Sequence, residues 1–167
     1  MAGRILVIGA TGSVGSELVS QLVQAGQQVK AATRTPASVQ PMNAAVEYVE
    51  FDFERPQTFA NALTGVDRAF LIARPGDDDA DVVAFPLIDE MKRFNVKRVV
   101  NLTAMGVETQ EDLALRRIEH YLEDSGLGFT HLRPNFFMQV FSVGPLLADI
   151  RSTSGIHVPA ATQNCLT

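Results

Sequence analysis

The chain has 167 residues, 46% hydrophobic and 20% charged. That suits one globular domain, large enough to bury roughly 70% of the surface its unfolded chain exposes. A net charge of −5 with a pI near 5.1, and scattered arginines beside only three lysines, Lys30, Lys92 and Lys97, argue against a nucleic-acid or anionic-membrane surface. Cys165 is the sole cysteine, which excludes an internal disulfide framework and a thiolate metal cluster. The first residues lead straight into a strand rather than a signal peptide, and no apolar run approaches the roughly 20 residues of a membrane helix. The expected location is cytoplasmic.

Arg4-Ile5-Leu6-Val7-Ile8 opens the chain as a strand buried on both faces. Gly9, Gly12 and Gly15 follow at once, with Ala10, Thr11, Ser13 and Val14 between them. This G-x-x-G-x-x-G spacing is one residue longer in its first gap than the usual dinucleotide fingerprint. Its chemistry is the same. Gly9 permits a tight turn, Gly12 lets backbone N–H groups approach a pyrophosphate, and Gly15 lets the next helix pack closely on the strand. The helix N-terminus then offers its amides and partial positive charge to the phosphates.

Val14, Leu18, Leu22 and Val23 recur at helical spacing, and Gly26 closes that helix. A second strand is expected at Val29–Thr33, a loop from Pro36 to Pro41, and a third strand from Val46 to Phe53. Pro56 starts a helix that Gly65 ends. Ala69–Ala73 reads as a fourth strand, and Ala80–Phe94 as a helix kinked near Pro86. Val96–Leu102, Leu113–Glu123 and Phe129–Leu132 read as strand, helix and strand, and Phe136–Ile150 as a helix interrupted at Gly144-Pro145.

Strands alternating with helices imply an α/β fold: a doubly wound parallel sheet of the Rossmann type, expected order 3-2-1-4-5-6, with helices on both faces. The dinucleotide-binding domain is expected over residues 1–150. Residues 151–167, with the strand-like Gly155-Ile156-His157-Val158-Pro159, read as the start of a truncated C-terminal substrate-binding region, the alternative being a frayed tail.

Cofactor choice turns on the residue after the second strand, where an acid holds a ribose 2′-OH and an Arg a 2′-phosphate. Arg34 stands there, and neither Asp nor Glu occurs between Glu17 and Glu47. The pattern favours NADP over NAD, with Thr33 and Thr35 able to add hydrogen bonds. Asp52 and Phe53 fall where an adenine should lie; a strand-end Asp capping the next helix is the alternative. Ala73 and Arg74 leave the fourth strand beside the topological switch point, where Arg74 could reach phosphate or substrate, or simply be solvated.

Ordinary short-chain dehydrogenases use a Tyr and a Lys four residues later on one helical face. Here Tyr48 is followed at that spacing by Asp52, and Tyr121 by Ser125, so that catalyst is missing. His120 shares a helical face with Arg116 and is a candidate proton donor, the alternative being an ordinary surface histidine. His131 and His157 complete no metal site, and no metal is expected. Ser13, Ser16 and Ser125 lack a His–Asp arrangement.

Taken together, these residues resemble the atypical short-chain dehydrogenase/reductase group of NmrA-like proteins, quinone oxidoreductase 2-type and isoflavone reductase-like enzymes. The resemblance rests on the glycine turn, Thr33-Arg34, Phe51-Asp52-Phe53 with Ala62–Asp67, Val96–Val100, Ser125-Gly126-Leu127, and Thr130–Pro134 followed by Phe137-Met138. It implies NADP(H) at the carboxyl end of the sheet, with the nicotinamide near Thr103-Ala104-Met105 and Pro134-Asn135-Phe136, and Thr103 at its ribose. It also implies a chain continuing past residue 167 to wall a substrate pocket, and a small-molecule substrate bound by a monomer or homodimer. Leu115 stands where quinone reductase-like relatives carry a His. The expected activity is NADPH-dependent reduction of a quinone or similar carbonyl or enone. The alternatives are a non-catalytic NADP sensor and, more remotely, a nucleotide-sugar epimerase relative.

Overall fold

A computed structural model describes residues 3–40, 42–73, 77–135, 137–142, 145–153 and 155. Six parallel strands form one sheet: β1 (Arg4–Val7), β2 (Val29–Thr33), β3 (Val46–Glu50), β4 (Val66–Ile72), β5 (Arg98–Leu102) and β6 (Gly128–Leu132). Their spatial order is β3-β2-β1-β4-β5-β6, the order expected from the sequence. The direction of winding reverses at β1, so the carboxyl ends of β1 and β4 flank the point where a ligand enters an open α/β sheet.

Burial explains the element types. Leu6, Val7 and Ile8 are buried on alternating sides of the sheet, and every residue of β2 is buried. One face, with Ile5, Val7, Val29, Ala31 and Phe70, receives the Val14, Leu18, Val19, Leu22 and Val23 stripe of α1 (Ser13–Gln24). The other, with Leu6, Ile8, Ala69, Leu71 and Val99, packs against α2 (Phe59–Leu63), α3 (Ala80–Arg93) and α4 (Ala114–Asp124). A fifth helix, α5 (Pro145–Thr153), follows a 3-10 turn at Met138–Phe141.

Several boundaries move for identifiable reasons. The third strand ends at Glu50 rather than Phe53. Phe51 N–H still donates to the Thr33 carbonyl (2.9 Å), but Asp52 N–H turns to the Thr58 hydroxyl (3.1 Å), so Asp52 and Phe53 lie on a loop. The helix expected from Pro56 divides into a 3-10 turn (Pro56–Thr58) and α2. The fourth strand begins at Val66, taking in Asp67 and Arg68, and the fifth begins only at Arg98. Among the described residues between β2 and β3, the chain makes a 3-10 turn, Pro36–Ser38. Pro86 sits inside α3. Gly144 and the strand-like segment at 156–159 lie outside the described residues.

Candidate functional site

The turn after β1 is shaped by its glycines. Gly9 has φ +71°, a left-handed value that a β-carbon disfavours. A β-carbon on Gly15 would stand 2.1 Å from the Gly9 carbonyl oxygen and 2.9 Å from Ala10 Cα, so only glycine lets α1 start this close to the turn. Gly12 N–H donates back to the Gly9 carbonyl (2.9 Å) and Gly12 forms the N-cap of α1. The amides of Ser13, Val14 and Gly15 therefore begin a helix and lack intrahelical acceptors. Thr11, Gly12 and Ser13 are exposed. This is a cradle for a diphosphate: backbone donors, a positive helix end and no side chain in the way.

The cradle opens into a cleft of about 1050 Å³ at the carboxyl end of the sheet. Gly9, Thr11, Gly12, Ser13, Val14, Gly15, Thr33, Arg34, Asp52, Phe53 and Ala73 all line it, so eleven of the fourteen cofactor-binding residues expected from the sequence meet in one space. Arg74 lies outside the described residues. Thr103 and Ala104 do not line the cleft; they sit at the end of β5, one strand further on. The cleft also takes in Thr35, Arg55, Ile72 and Phe137. Arg55 and Ile72 had no motif to mark them, and Phe137 comes from the segment after β6.

At the adenine end, Asp52 is both a turn former and an anion. Its Oδ1 accepts the Glu54 N–H (3.1 Å) and its Oδ2 accepts Arg55 Nε (3.2 Å). The Glu54 amide first, then Arg55 and the nearby Arg34 charge, hold its carboxyl below the ordinary value. Asp52 thus lines the cleft and organises the loop before α2 without capping a helix. Arg55 is shared with Glu50 (2.8 Å), whereas Arg34 is exposed on the cleft, ready for an anion.

The end of β5 is built differently. Val99, Asn101 and Thr103 face α4, and there Glu119 is fully buried. Its Oε1 accepts Thr103 Oγ1 (2.8 Å) and Arg133 Nε (2.9 Å); its Oε2 accepts Arg133 Nη2 (2.8 Å) and Arg116 Nη1 (2.9 Å). Burial alone would raise this carboxyl's pKa, but the bonds from Arg133, Thr103 and Arg116 outweigh it and bring it down to about 2. Thr103, Arg116 and Arg133 each drew notice in the sequence for other reasons, but nothing there joined them to Glu119.

His120 points elsewhere. Its Nε2 lies 2.8 Å from Glu111 Oε2 and its Nδ1 3.2 Å from Glu123 Oε2. The Glu111 bond raises its pKa, and it does not line the cleft. No metal-ligating cluster occurs among the described residues, and none of their helices is long and apolar enough to cross a membrane.

Sheet order, glycine cradle and cleft define the class as a Rossmann-like dinucleotide-binding domain. More particularly, the chain belongs to the NAD(P)H-binding family, whose model matches residues 9–145. It is 34% identical over 164 residues to the prestalk A differentiation protein A of Dictyostelium discoideum, covering 96% of this chain and 53% of that one. With the NAD(P)H azoreductase of Xenophilus azovorans it shares 34% identity, covering 81% of this chain and 49% of the enzyme. The chain thus spans about half the length of these relatives. Among solved structures, triphenylmethane reductase from Citrobacter sp. complexed with NADP(H) superposes with a TM-score of 0.77 at 21% identity, covering 90% of this chain and 55% of that chain. The NADPH-dependent quinone oxidoreductase from Escherichia coli complexed with NADPH gives 0.75 at 23%, covering 89% and 53%. These likenesses show the fold, and they agree with the resemblance to atypical short-chain dehydrogenases/reductases drawn from the motifs.

Proposed function

We propose that this chain is the NADPH-binding part of an oxidoreductase that reduces a quinone or similar small carbonyl or enone acceptor. The observation that carries the reading is the joint placement of the glycine cradle and Arg34 on one cleft with no acid at the position after β2. The azoreductase and quinone oxidoreductase names among its relatives and structural neighbours support the same reading. Ser13, Val14 and Gly15 amides would bind the diphosphate, Arg34 with Thr33 the 2′-phosphate, and Asp52 and Phe53 the adenine. Thr103 and Ala104 would stand at the nicotinamide ribose, and Arg74 beside the phosphates or the acceptor. When bound, NADPH supplies the hydride, and the chain's residues hold it in place and exclude water around it. Residues 1–150 form the cofactor domain in this reading, and the chain beyond 151 opens the acceptor-binding region of a protein working in the cytoplasm as a monomer or homodimer.

A second reading has its own observation. The Tyr-x-x-x-Lys pair of ordinary short-chain dehydrogenases is missing, with Asp52 four residues after Tyr48 and Ser125 four after Tyr121, which favours a sensor that binds NADP without turnover. Following NADPH absorbance at 340 nm with a panel of quinones, enones and azo compounds decides between them. Oxidation that depends on protein and acceptor is the expected result; submicromolar NADPH binding with no turnover of any acceptor would make it a sensor.

A further inference from the structure

We propose that Glu119 is a positioning residue for the nicotinamide end of the cofactor: it accepts the hydrogen bond of the Thr103 hydroxyl and leaves that oxygen as an acceptor only. The inference rests on the cofactor placement proposed above. Its geometry is independent of that placement.

Thr103 is buried at the end of β5, beside the cleft without lining it. Ile72 pairs with Leu102 across β4 and β5, so the next residues, Ala73 and Thr103, leave the two strands side by side, and Ala73 lines the cleft. On its other flank, Thr103 N–H donates to the Leu132 carbonyl (2.8 Å) and Met105 N–H to the Pro134 carbonyl (3.0 Å). That ties it to the exit of β6, and Phe137 further along lines the cleft. Thr103 is therefore bracketed by two walls of the same space.

The direction of its hydrogen bond follows from charge. Glu119 is filled by four side-chain donors and remains a carboxylate. It has no proton to give, so Thr103 Oγ1 must donate to it. The remaining lone pairs of Thr103 can receive a ribose hydroxyl or a carboxamide N–H, and cannot protonate an acceptor. Arg116 and Arg133 hold the carboxylate from α4 and from the exit of β6, so this single anion fixes the relation of three segments. Apolar packing would fill the same volume without the desolvation cost of an ionised group. An anion does what packing cannot, which is to set the rotor of the hydroxyl.

The test uses the full chain with Thr103→Val, Thr103→Ser, Glu119→Gln and the double variant Thr103→Val/Glu119→Gln. Adenosine 2′,5′-bisphosphate affinity reads the Arg34 end alone. The fluorescence of bound NADPH reads the ordering of its dihydronicotinamide, and NADPH oxidation with menadione separates kcat from KM. Thr103→Val is expected to bind adenosine 2′,5′-bisphosphate within about twofold of wild type while NADPH fluorescence falls toward that of free cofactor and kcat drops about tenfold, the loss of one hydrogen bond. Thr103→Ser should restore both. Glu119→Gln should reproduce the fluorescence loss, and adding it to Thr103→Val should change little, because Glu119 acts through Thr103. Wild-type fluorescence in Thr103→Val, or additive losses in the double variant, would overturn the proposal. If Glu119→Gln does not fold, the valine and serine pair decides alone. A wild-type chain that binds NADPH without turnover removes the oxidoreductase reading but leaves the fluorescence comparison intact. One that binds neither nucleotide removes both.

Discussion

The cradle after β1 and the side-chain cluster at the end of β5, beside the cleft, are built by different means. At the β1 end the donors are backbone amides and the essential feature is missing volume: Gly15 has no β-carbon to strike the Gly9 carbonyl. At the β5 end the groups are side chains from β5, α4 and β6, gathered around one buried carboxylate. The first end is built by local sequence and tolerates almost any chemistry that keeps the glycines. The second is built by residues up to 30 positions apart in the chain, from Thr103 to Arg133, and depends on every partner. A site made of backbone is robust to its neighbours, whereas a site made of charges is only as stable as its least replaceable member.

The comparison can be broken most forcefully at Glu119. Glu119→Ala leaves two guanidinium groups facing an unfilled hole and should cost about 3–5 kcal/mol of unfolding free energy, read by urea titration. A loss under about 1 kcal/mol would show that the buried cluster is not what holds the β5 end. The same group predicts an acid limb. The Glu119 pKa is depressed to about 2 in the folded chain, so the stability its ionisation contributes is complete above the unfolded value of about 4.3 and drains away as pH falls from there toward 2. The total is about 3 kcal/mol. Urea midpoints from pH 7 down to pH 3 should therefore fall more steeply for wild type than for Glu119→Gln; parallel curves would contradict the assignment.

At the other end, Gly15→Ala should cost about 1–3 kcal/mol through overpacking and abolish NADPH binding, since the turn must move to admit the β-carbon. Calorimetry that finds unchanged affinity would remove the cradle from the site. The smallest effect belongs to the exposed Arg34. Arg34→Ala should weaken NADPH about 10- to 100-fold, the worth of a charged hydrogen bond or two, and leave NADH within about twofold. Equal losses for both nucleotides would sink the 2′-phosphate assignment.

What the sequence revealed follows the same division. The sheet order, the turn and Arg34 were legible because each is carried by a short run: apolar residues, then glycines at fixed spacing, then a basic residue just after the second buried strand. The early end of β3 was not, because Thr58 competes for the Asp52 amide from six residues away, a contact that no periodicity registers. Glu119 was invisible for a stronger reason. On a helix whose other polar residues mostly reach solvent, one more acid between Ile118 and His120 reads as surface, and only the arrival of Arg133 from β6 makes its burial affordable. His120, the neighbour that chemical intuition selects, is instead held between two carboxylates.

The place of β6 at the margin of the sheet has a consequence of another kind. Among the described residues it pairs only with β5, and its sequence Gly-Phe-Thr-His-Leu carries no lysine, acid or proline, with Phe129 and Leu132 exposed. Such an edge is the part of a β-protein that natural sequences ordinarily shield from self-association. Among the described residues, β6 is thus the margin at which a further strand, of this chain or another, can add.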